Sequence, residues 1–239
     1  MTGAEAAFSA VASAAVLFTK PAEPGRVKTR LIGRLSKSEA ARLHAAFVLD
    51  TSASLSRGAF DLLVAWALDG ELAAQPELVP AGVPALEQSG ETLGERLFSA
   101  LETTVGRGYR AVAAVGSDHP GLPARRLAEA FALLGDVDVV FGPVPDGGYD
   151  LVALRADVLS PRLFEGIAWS TSTVLEESRV RVSELGLRDA LLSEGFDVDT
   201  PADLEELVAR VRQHRLGAEC PRTVEVLSSL GLLAEEDSA

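Results

Sequence analysis

The sequence predicts an α/β fold made of one domain, with a mainly parallel sheet that helices cover on both faces. Three observations support this prediction. Short apolar runs with the length of buried strands alternate along the chain with segments of helical periodicity. Apolar residues make up 47% of the 239 residues, which is enough for a sizeable core. No internal repeat or low-complexity linker divides the chain.

Five apolar runs have the length and the boundaries of strands. In chain order they cover residues 14–18, 61–68, 111–115, 137–141 and 149–154. The first run ends before Lys20 and Pro21, the second before Gly70 and the third before Gly116, and such residues favour a turn over a continued strand. Because the runs are continuously apolar, we expect strands that are buried on both faces, as in a parallel sheet.

Helical periodicity recurs between these runs. The predicted helices cover residues 36–57, 93–105, 123–134, 173–185 and 201–212, and a last helix lies around residues 224–230. Ser36 and Glu39 form a capping box at the first start, and Pro123 and Pro201 suit a first helical turn. We expect one domain over residues 1–215, with residues 216–239 adding a helix and an acidic tail that pack on or trail it.

The composition excludes several classes of protein. A net charge of -13 repels phosphate backbones, which argues against a nucleic-acid-binding protein. The single cysteine, Cys220, makes no intrachain disulfide and fits a reducing compartment. No apolar run approaches the ~20 residues that span a membrane. We expect a cytoplasmic protein, and the sequence leaves its oligomeric state open.

The first loop is the densest basic patch in this acidic chain. It follows the first strand, at the sheet edge where ligands of such folds bind, and it carries Lys20, Gly25, Arg26, Lys28 and Arg30. The glycine permits close approach of a ligand, and the basic side chains can neutralise a diphosphate. The loop lacks P-loop spacing. A solvated basic loop is the alternative interpretation.

Two aspartates at strand-to-loop junctions are candidate metal ligands. Asp118 follows the third strand, and Asp199 precedes a helix. One or two carboxylates completed by ligand phosphates suit Mg²⁺, and Mn²⁺ is the alternative cofactor. Asp197 competes for the second position, and Asp199 could instead only begin a capped helix. His119 could bind a softer metal or shuttle a proton, or be an ordinary partly buried residue.

A tight turn between the fourth and fifth strands is a candidate acceptor or sugar site. Gly147 and Gly148 separate Asp146 from Tyr149 and allow an open turn. Asp146 could accept hydrogen bonds from hydroxyl groups or act as a base, and Tyr149 could stack on a ring. Asp146 is a candidate catalytic residue, and Lys28 of the first loop is the other. The alternative is a hairpin turn, for which Asp-Gly is a common signal.

A polar segment before the fourth predicted helix belongs to the same candidate site. It contains Trp169, Ser170 and Thr171, which could contact a sugar or an acceptor. The alternative gives the hydroxyl residues a capping role and makes the tryptophan a hydrophobic staple for that helix.

The order of these motifs resembles a known superfamily. The matching segments are KPAEPGRVKTRL at residues 20–31, LGERL at 93–97, GSDHP at 116–120, GPVPDGGYDLVAL at 142–154, WSTSTVL at 169–175 and DVDTPADL at 197–204. Together they resemble the nucleotide-diphospho-sugar transferases of GT-A-like fold. The chain is most similar to the bacterial radical-SAM and selenodomain-associated glycosyltransferases, over about residues 16–207.

The resemblance implies functions for four of these segments. It implies that Asp118 and Asp199 hold Mg²⁺, and that the first loop and the Leu93-Gly94 turn bind the nucleotide from two sides. Two departures matter. The family usually has Cys where His119 stands here, and the G-x-G-x-R loop of related nucleotidyltransferases is absent, so the reaction type does not carry over.

Three functions are compatible with this pattern. The first is metal-dependent glycosyl transfer from a nucleotide sugar to a small acceptor. The second is nucleotidyl transfer from a nucleoside triphosphate to a phosphorylated small molecule, with pyrophosphate released. The third is an inert nucleotide-binding module, because fold alone does not establish activity.

Overall fold

The computed structural model describes residues 12–68, 70, 72–213, 215–216 and 218–234. The strands in this part of the chain are β1 Ser13–Thr19, β2 Asp61–Trp66, β3 Ala85–Glu87, β4 Ala111–Gly116, β5 Val139–Pro143, β6 Tyr149–Arg155 and β7 Asp189–Leu191. Its α-helices are α1 Lys37–Leu55, α2 Leu93–Val105, α3 Ala124–Leu133, α4 Val174–Glu184, α5 Pro201–Arg212 and α6 Pro221–Ser229. Every strand and helix that the sequence predicts is present.

The seven strands form one sheet in the order β3-β2-β1-β4-β6-β5-β7. Strand β6 runs antiparallel to both of its neighbours, and every other pair of neighbours is parallel. The prediction of a mainly parallel sheet is confirmed, and the antiparallel direction of β6 agrees with the hairpin that was the alternative interpretation of the turn before it. Apolar content does not reveal strand direction, whereas the short connection from β5 to β6 permits only a hairpin.

Helices cover both faces of the sheet, as predicted. Side chains of β1 alternate between the faces, so Ala15 and Leu17 join one core cluster while Ala14 and Val16 join the other. The first cluster includes residues of α1 and α3, and the second includes residues of α2 and α4. Two packed layers of helix therefore hold the sheet between them.

A third apolar cluster joins α1, α5 and α6, with Phe47, Leu204 and Leu227 among its members. The buried Asp50 carboxylate ties α1 to the start of α6, because it accepts hydrogen bonds from the backbone N–H groups of Arg222 at 3.0 Å and Thr223 at 2.7 Å. Burial raises the pKa of Asp50 despite these bonds. The predicted acidic tail lies outside the described residues.

The sequence patterns missed two strands, β3 and β7. Each has three residues, and each lies at an edge of the sheet. Strands this short are below the length at which alternation can be recognised. Among the described residues, no helix combines the length and apolar character required to cross a bilayer.

Candidate functional site

Four predicted site segments meet at one edge of the sheet. The carboxyl ends of β1 and β4 lie side by side, since Phe18 pairs with Gly116. Because β6 is antiparallel, its first residues lie at this same edge, and Leu151 pairs with Val115. The first loop, the segment after β4 and the turn before β6 therefore border a common cleft. The backbone N–H of Val198 donates to the carbonyl of Asp118 at 2.9 Å, which brings the Asp197–Asp199 segment to the same edge.

The part of this cleft beside the first loop is a cavity of about 430 Å³, called the basic pocket here. Its lining includes Lys20, Arg26, Lys28, Arg30, His44, Gln88, Asp118 and Asp199. The basic side chains of the first loop thus surround one space of a size suited to a small-molecule ligand. Gly25 has a φ of 81° and lies against Lys37, and it is not among the lining residues.

Lys28 differs from the other basic residues of the loop. Lys20, Arg26 and Arg30 are exposed, but the Lys28 side chain is only 3% exposed. Its Nζ lies 2.7 Å from Asp118 Oδ1 and 3.0 Å from Asp199 Oδ1. The backbone of Lys28 has a φ of 47°, a left-handed conformation that is rare outside glycine and is often retained at functional sites.

The Lys28 ammonium brings Asp118 and Asp199 together. The two oxygens that share it lie no farther apart than the sum of the two distances, about 5.7 Å. Burial alone would lower the pKa of Lys28, but the two carboxylates outweigh it and raise that pKa. Desolvation would likewise raise the pKa of Asp118, and the Lys28 charge overrides it so that this pKa is lowered. Lys28 and Asp118 therefore carry their charges at neutral pH.

These carboxylates do not form a metal cage. Within the described ranges, no three or more His, Cys, Asp or Glu side chains are arranged to hold a metal ion. Two carboxylates nevertheless suit Mg²⁺, which usually takes its remaining ligands from phosphates and water.

The sequence patterns did not identify two polar side chains of the basic pocket. His44 Nε2 lies 3.0 Å from the Lys20 carbonyl, while its buried Nδ1 lacks a hydrogen-bond partner among the described residues and lies 3.9 Å from Asp118 Oδ1. Burial lowers the pKa of His44. Gln88 donates both amide hydrogens to the carbonyls of Thr19 and Ala65, which leaves its own oxygen for a ligand. Both residues lacked a motif that would have distinguished them.

A second part of the cleft is a cavity of about 380 Å³, called the aromatic pocket here. Its lining includes Leu93, Leu97, Asp146, Gly148, Tyr149, Trp169, Ser170 and Thr171. The ring of Tyr149 packs between Phe141 and Trp169, with centroid distances of 5.1 Å and 6.4 Å. The Tyr149 hydroxyl is buried, and burial raises its pKa. Tyr149 therefore supports Trp169 through an edge-to-face contact, and both rings line the aromatic pocket.

Leu93 and Gly94 have different positions, although the resemblance implies one shared role. Leu93 is 43% exposed and lines both the basic and the aromatic pocket. Gly94 packs away from them, since a Cβ atom there would lie 2.6 Å from the Phe164 carbonyl and 2.9 Å from Trp169 Nε1. The glycine permits close packing of α2 on the Trp169 segment.

The turn between β5 and β6 is a hairpin connection, and Asp146 has two roles in it. Asp146 Oδ1 accepts a hydrogen bond from the backbone N–H of Gly148 at 2.8 Å, which stabilises the turn. The same side chain lines the aromatic pocket. The hairpin also contacts the start of α4, because the backbone N–H of Leu175 donates to the Gly147 carbonyl at 2.9 Å. Both predicted acceptor segments therefore form one surface.

Gly147→Ala tests the packing of this hairpin. Gly147 has a φ of 88°, and a Cβ atom there would overlap the Ser172 carbonyl group. We expect a loss of about 1–2 kcal/mol from the left-handed backbone and about 1–3 kcal/mol more from the overlap. Gly108→Ala is the matched control, because Gly108 has a φ of 99° and no neighbour within 4 Å. Equal losses of stability in urea denaturation would contradict the predicted overlap.

The third part of the cleft is a cavity of about 650 Å³, called the acidic pocket here. Its lining includes Lys20, Glu91, Arg96, Asp118, His119, Asp150, Asp197 and Asp199. Burial and the neighbouring charges of Asp146 and Asp199 raise the pKa of Asp197 to about 7. Five carboxyl side chains and two lysine or arginine side chains are among the described residues that line this part of the cleft.

A buried ion pair holds the His119 ring in position. Its Nδ1 lies 2.8 Å from Asp150 Oδ2, and the other oxygen of Asp150 accepts a hydrogen bond from Arg126 Nη2 at 3.1 Å. Arg126 also donates to the Ser193 carbonyl at 2.8 Å. This network fixes the ring of His119 at the wall of the acidic pocket. Asp150 and Arg126 were not predicted, although a charged residue inside an apolar strand is itself a signal of a buried partner.

The raised pKa of Asp197 predicts how stability depends on pH. Because its pKa in the folded protein lies above the ordinary value of 3.8, the stabilising effect of protonation is complete below pH 4 and is lost as pH rises through about 7. We expect the metal-free wild type to lose Tm between about pH 4 and pH 7 relative to Asp197→Asn, which does not ionise there. Parallel Tm profiles of the two proteins would contradict a raised pKa.

Comparisons with known proteins identify the family of this chain. Residues 49–171 match the family described as "Uncharacterized protein conserved in bacteria (DUF2064)". A protein of Desulfovibrio desulfuricans proposed to be a nucleotide-diphospho-sugar transferase is 32% identical, over 92% of this chain and 96% of that one, with a TM-score of 0.83. The chain therefore belongs to the DUF2064 family, and it is related to this Desulfovibrio desulfuricans protein. No curated protein matches it significantly.

More distant solved structures share the fold. A cytidylyltransferase from Leptospira borgpetersenii is 14% identical over 96% of this chain and 99% of its own, with a TM-score of 0.59. The Mycobacterium tuberculosis glucosyl-3-phosphoglycerate synthase, solved with Mg²⁺ and UDP, is 16% identical over 91% of this chain and 82% of its own, with a TM-score of 0.53. Membership of the nucleotide-diphospho-sugar transferase superfamily and the prediction of a transferase are confirmed.

Proposed function

We propose that this protein transfers a glycosyl group from a nucleotide-diphospho-sugar to a small acceptor, with the help of a divalent metal. The distribution of charge in the cleft carries this proposal. A basic pocket suited to a diphosphate adjoins an aromatic pocket and an acidic pocket suited to hydroxyl-rich groups. The glycosyltransferase that shares this fold was solved with UDP and a metal, which supports the proposal.

The donor binds in the basic pocket under this proposal. Lys20, Arg26 and Arg30 are exposed there and would pair with the diphosphate through charge-assisted hydrogen bonds. The Gln88 oxygen is available to accept a hydrogen bond from the ligand.

Asp118 and Asp199 would hold the metal. Their fit to a cation is supported by the positive group that they already bracket, the Lys28 ammonium. A bound divalent metal supplies electrostatic stabilisation for the charge that grows on a departing nucleoside diphosphate. The exposed basic side chains of the first loop would add to this stabilisation.

The acceptor binds at the aromatic and acidic pockets. Asp146 is placed to orient or deprotonate an acceptor hydroxyl with the oxygen that does not hold the turn. Trp169, Ser170 and Thr171 would contact the sugar or the acceptor from the opposite segment. Glu91 adds negative charge nearby, and Asp197 adds more as the pH rises above its pKa of about 7, which disfavours a phosphorylated acceptor.

Nucleotidyl transfer is the second candidate function. Four basic residues in one loop are enough for a triphosphate, and a cytidylyltransferase shares the fold. This second reaction transfers a nucleotidyl group to a phosphorylated small molecule, however, and the carboxylates of the acidic pocket would repel the phosphate of that acceptor. An inert nucleotide-binding module would keep the basic pocket but show no turnover.

A thermal-shift screen tests donor binding. We expect sugar conjugates of UDP, GDP, CDP or ADP with Mg²⁺ to raise Tm, since a ligand at 100 times its Kd stabilises by about 2.7 kcal/mol. In a domain of this size that corresponds to roughly 5–11 °C. Arg26→Ala should reduce the shift while the Tm without ligand is unchanged. No shift with any conjugate, with or without metal, would refute the proposed donor class.

A further inference from the structure

Lys28 lies where a metal shared by Asp118 and Asp199 would bind. We propose that Lys28 is a resident cation, which excludes divalent metal from the nucleotide-free protein and is displaced by the incoming metal–nucleotide complex. This inference rests on the metal site of the proposed function. It adds that metal binding depends on the nucleotide, and that Lys28 enforces this dependence.

The hydrogen bonds of the ammonium group are the first argument. A lysine ammonium has three hydrogens to donate. Here they have three acceptors, Asp118 Oδ1 at 2.7 Å, Asp199 Oδ1 at 3.0 Å and the Val198 carbonyl at 2.6 Å. The Lys28 ammonium is thus fully engaged before any phosphate arrives. The ammonium group therefore acts as a bound cation between the carboxylates, and its side chain is not free to reach a ligand.

The space between the carboxylates is the second argument. A divalent cation coordinated by the same two oxygens lies about 2.0–2.6 Å from each of them, in the gap that Lys28 Nζ fills. Two cations so close also repel each other strongly at the dielectric of a protein cleft. The two carboxylates can therefore hold the ammonium or the metal between these oxygens, but not both.

The anchoring of Lys28 is the third argument. Its left-handed backbone, with φ 47° and ψ 39°, aims the side chain inward, and its Nζ lies 5.4 Å from the centre of the Phe47 ring. With Lys28 in place, the cluster of one ammonium and two carboxylates has a net charge of -1. Phosphates held by Lys20, Arg26 and Arg30 would bring new negative charge beside it. The ammonium then gains an alternative partner, and the metal gains the carboxylates.

Mn²⁺ binding followed by electron paramagnetic resonance tests this inference without any turnover. In the absence of nucleotide, we expect Lys28→Met to bind Mn²⁺ at least about tenfold more tightly than the wild type, because the competing charge is gone. Adding Asp118→Asn to that variant should abolish the gain. Lys37→Met is the matched control, since it removes a lysine that is exposed and outside the basic pocket. It should bind Mn²⁺ as the wild type does.

Equal Mn²⁺ affinities for the wild type and Lys28→Met would overturn the inference and leave the metal site intact. No Mn²⁺ binding even with ADP, GDP, CDP or UDP would overturn both the inference and the proposed metal site. Lys28→Gln serves as a second neutral variant if Lys28→Met does not fold. Independently of both variants, a tight Mn²⁺ site in the nucleotide-free wild type that Asp118→Asn removes would also overturn the inference.

Discussion

Arg126→Met is expected to lower the free energy of unfolding by about 3–5 kcal/mol, because it removes one partner of a buried ion pair. The Asp150 side chain is 2% exposed and would lose the guanidinium that lies 3.1 Å away. In a domain of this size the loss corresponds to a Tm decrease of roughly 6–20 °C, measured by calorimetry. His119 would lose its fixed position at the same time, because Asp150 holds its ring.

The neighbouring residue on α3 provides the control for this prediction. Arg125 has the same charge, but its side chain is 78% exposed and its contact with Glu219 is 3.5 Å long. A surface pair of this kind contributes about 0–1 kcal/mol, so Arg125→Met should change Tm little. If both variants melt at similar temperatures, the buried network does not stabilise the edge of the sheet as we infer.

Asp146→Asn is expected to lower turnover by about 10²–10⁴-fold, the usual contribution of a general base, once a true acceptor is supplied. Donor affinity should stay near its original value, since Asp146 lines the aromatic pocket and not the basic pocket. Stability should also be kept. An asparagine oxygen can accept the hydrogen bond that the Gly148 N–H now donates at 2.8 Å, and Asn-Gly suits the same turn.

Kinetics and calorimetry together check this prediction. Turnover is measured with saturating donor, and donor affinity is measured separately by titration. Asp157→Asn is the control, because Asp157 lies outside the cleft and pairs with Arg155. Near-normal turnover of Asp146→Asn would restrict Asp146 to shaping the hairpin and leave charge stabilisation of the leaving group as the main catalytic contribution.

Periodicity and capping residues were enough to predict most of the fold. Ser36 and Glu39 form the capping box that their spacing indicates, and α2 and α5 have the predicted bounds. Local sequence carries these signals because a helix start depends on residues three positions apart. The order of strands depends on contacts between distant segments, which no local pattern records.

The position of the site could also be predicted, because the carboxyl edge of a parallel sheet collects the loops that follow its strands. Asp118 and Asp199 are 81 positions apart in the sequence, yet both contact one ammonium. Their assignment as metal ligands stays a prediction until metal binding is measured.

The states of individual side chains could not be predicted. In the sequence, Lys28 is one of four equivalent basic residues in a loop, but its backbone conformation turns its side chain into the protein, while Lys20, Arg26 and Arg30 stay exposed. His44 reads as an ordinary helical residue, and only the arrival of the first loop buries it beside Asp118. Burial and pairing of this kind arise from tertiary contacts, so composition and spacing do not reveal them.

Product analysis by ³¹P nuclear magnetic resonance tests the central claim most directly. The protein is incubated with Mg²⁺, candidate hydroxylated acceptors and the nucleotide sugar that raises Tm most. In parallel, it is incubated with the corresponding nucleoside triphosphate and phosphorylated acceptors. Our account predicts release of a nucleoside diphosphate in the first mixture, and no release in the Asp118→Asn variant. Pyrophosphate in the second mixture, without nucleoside diphosphate in the first, would contradict glycosyl transfer.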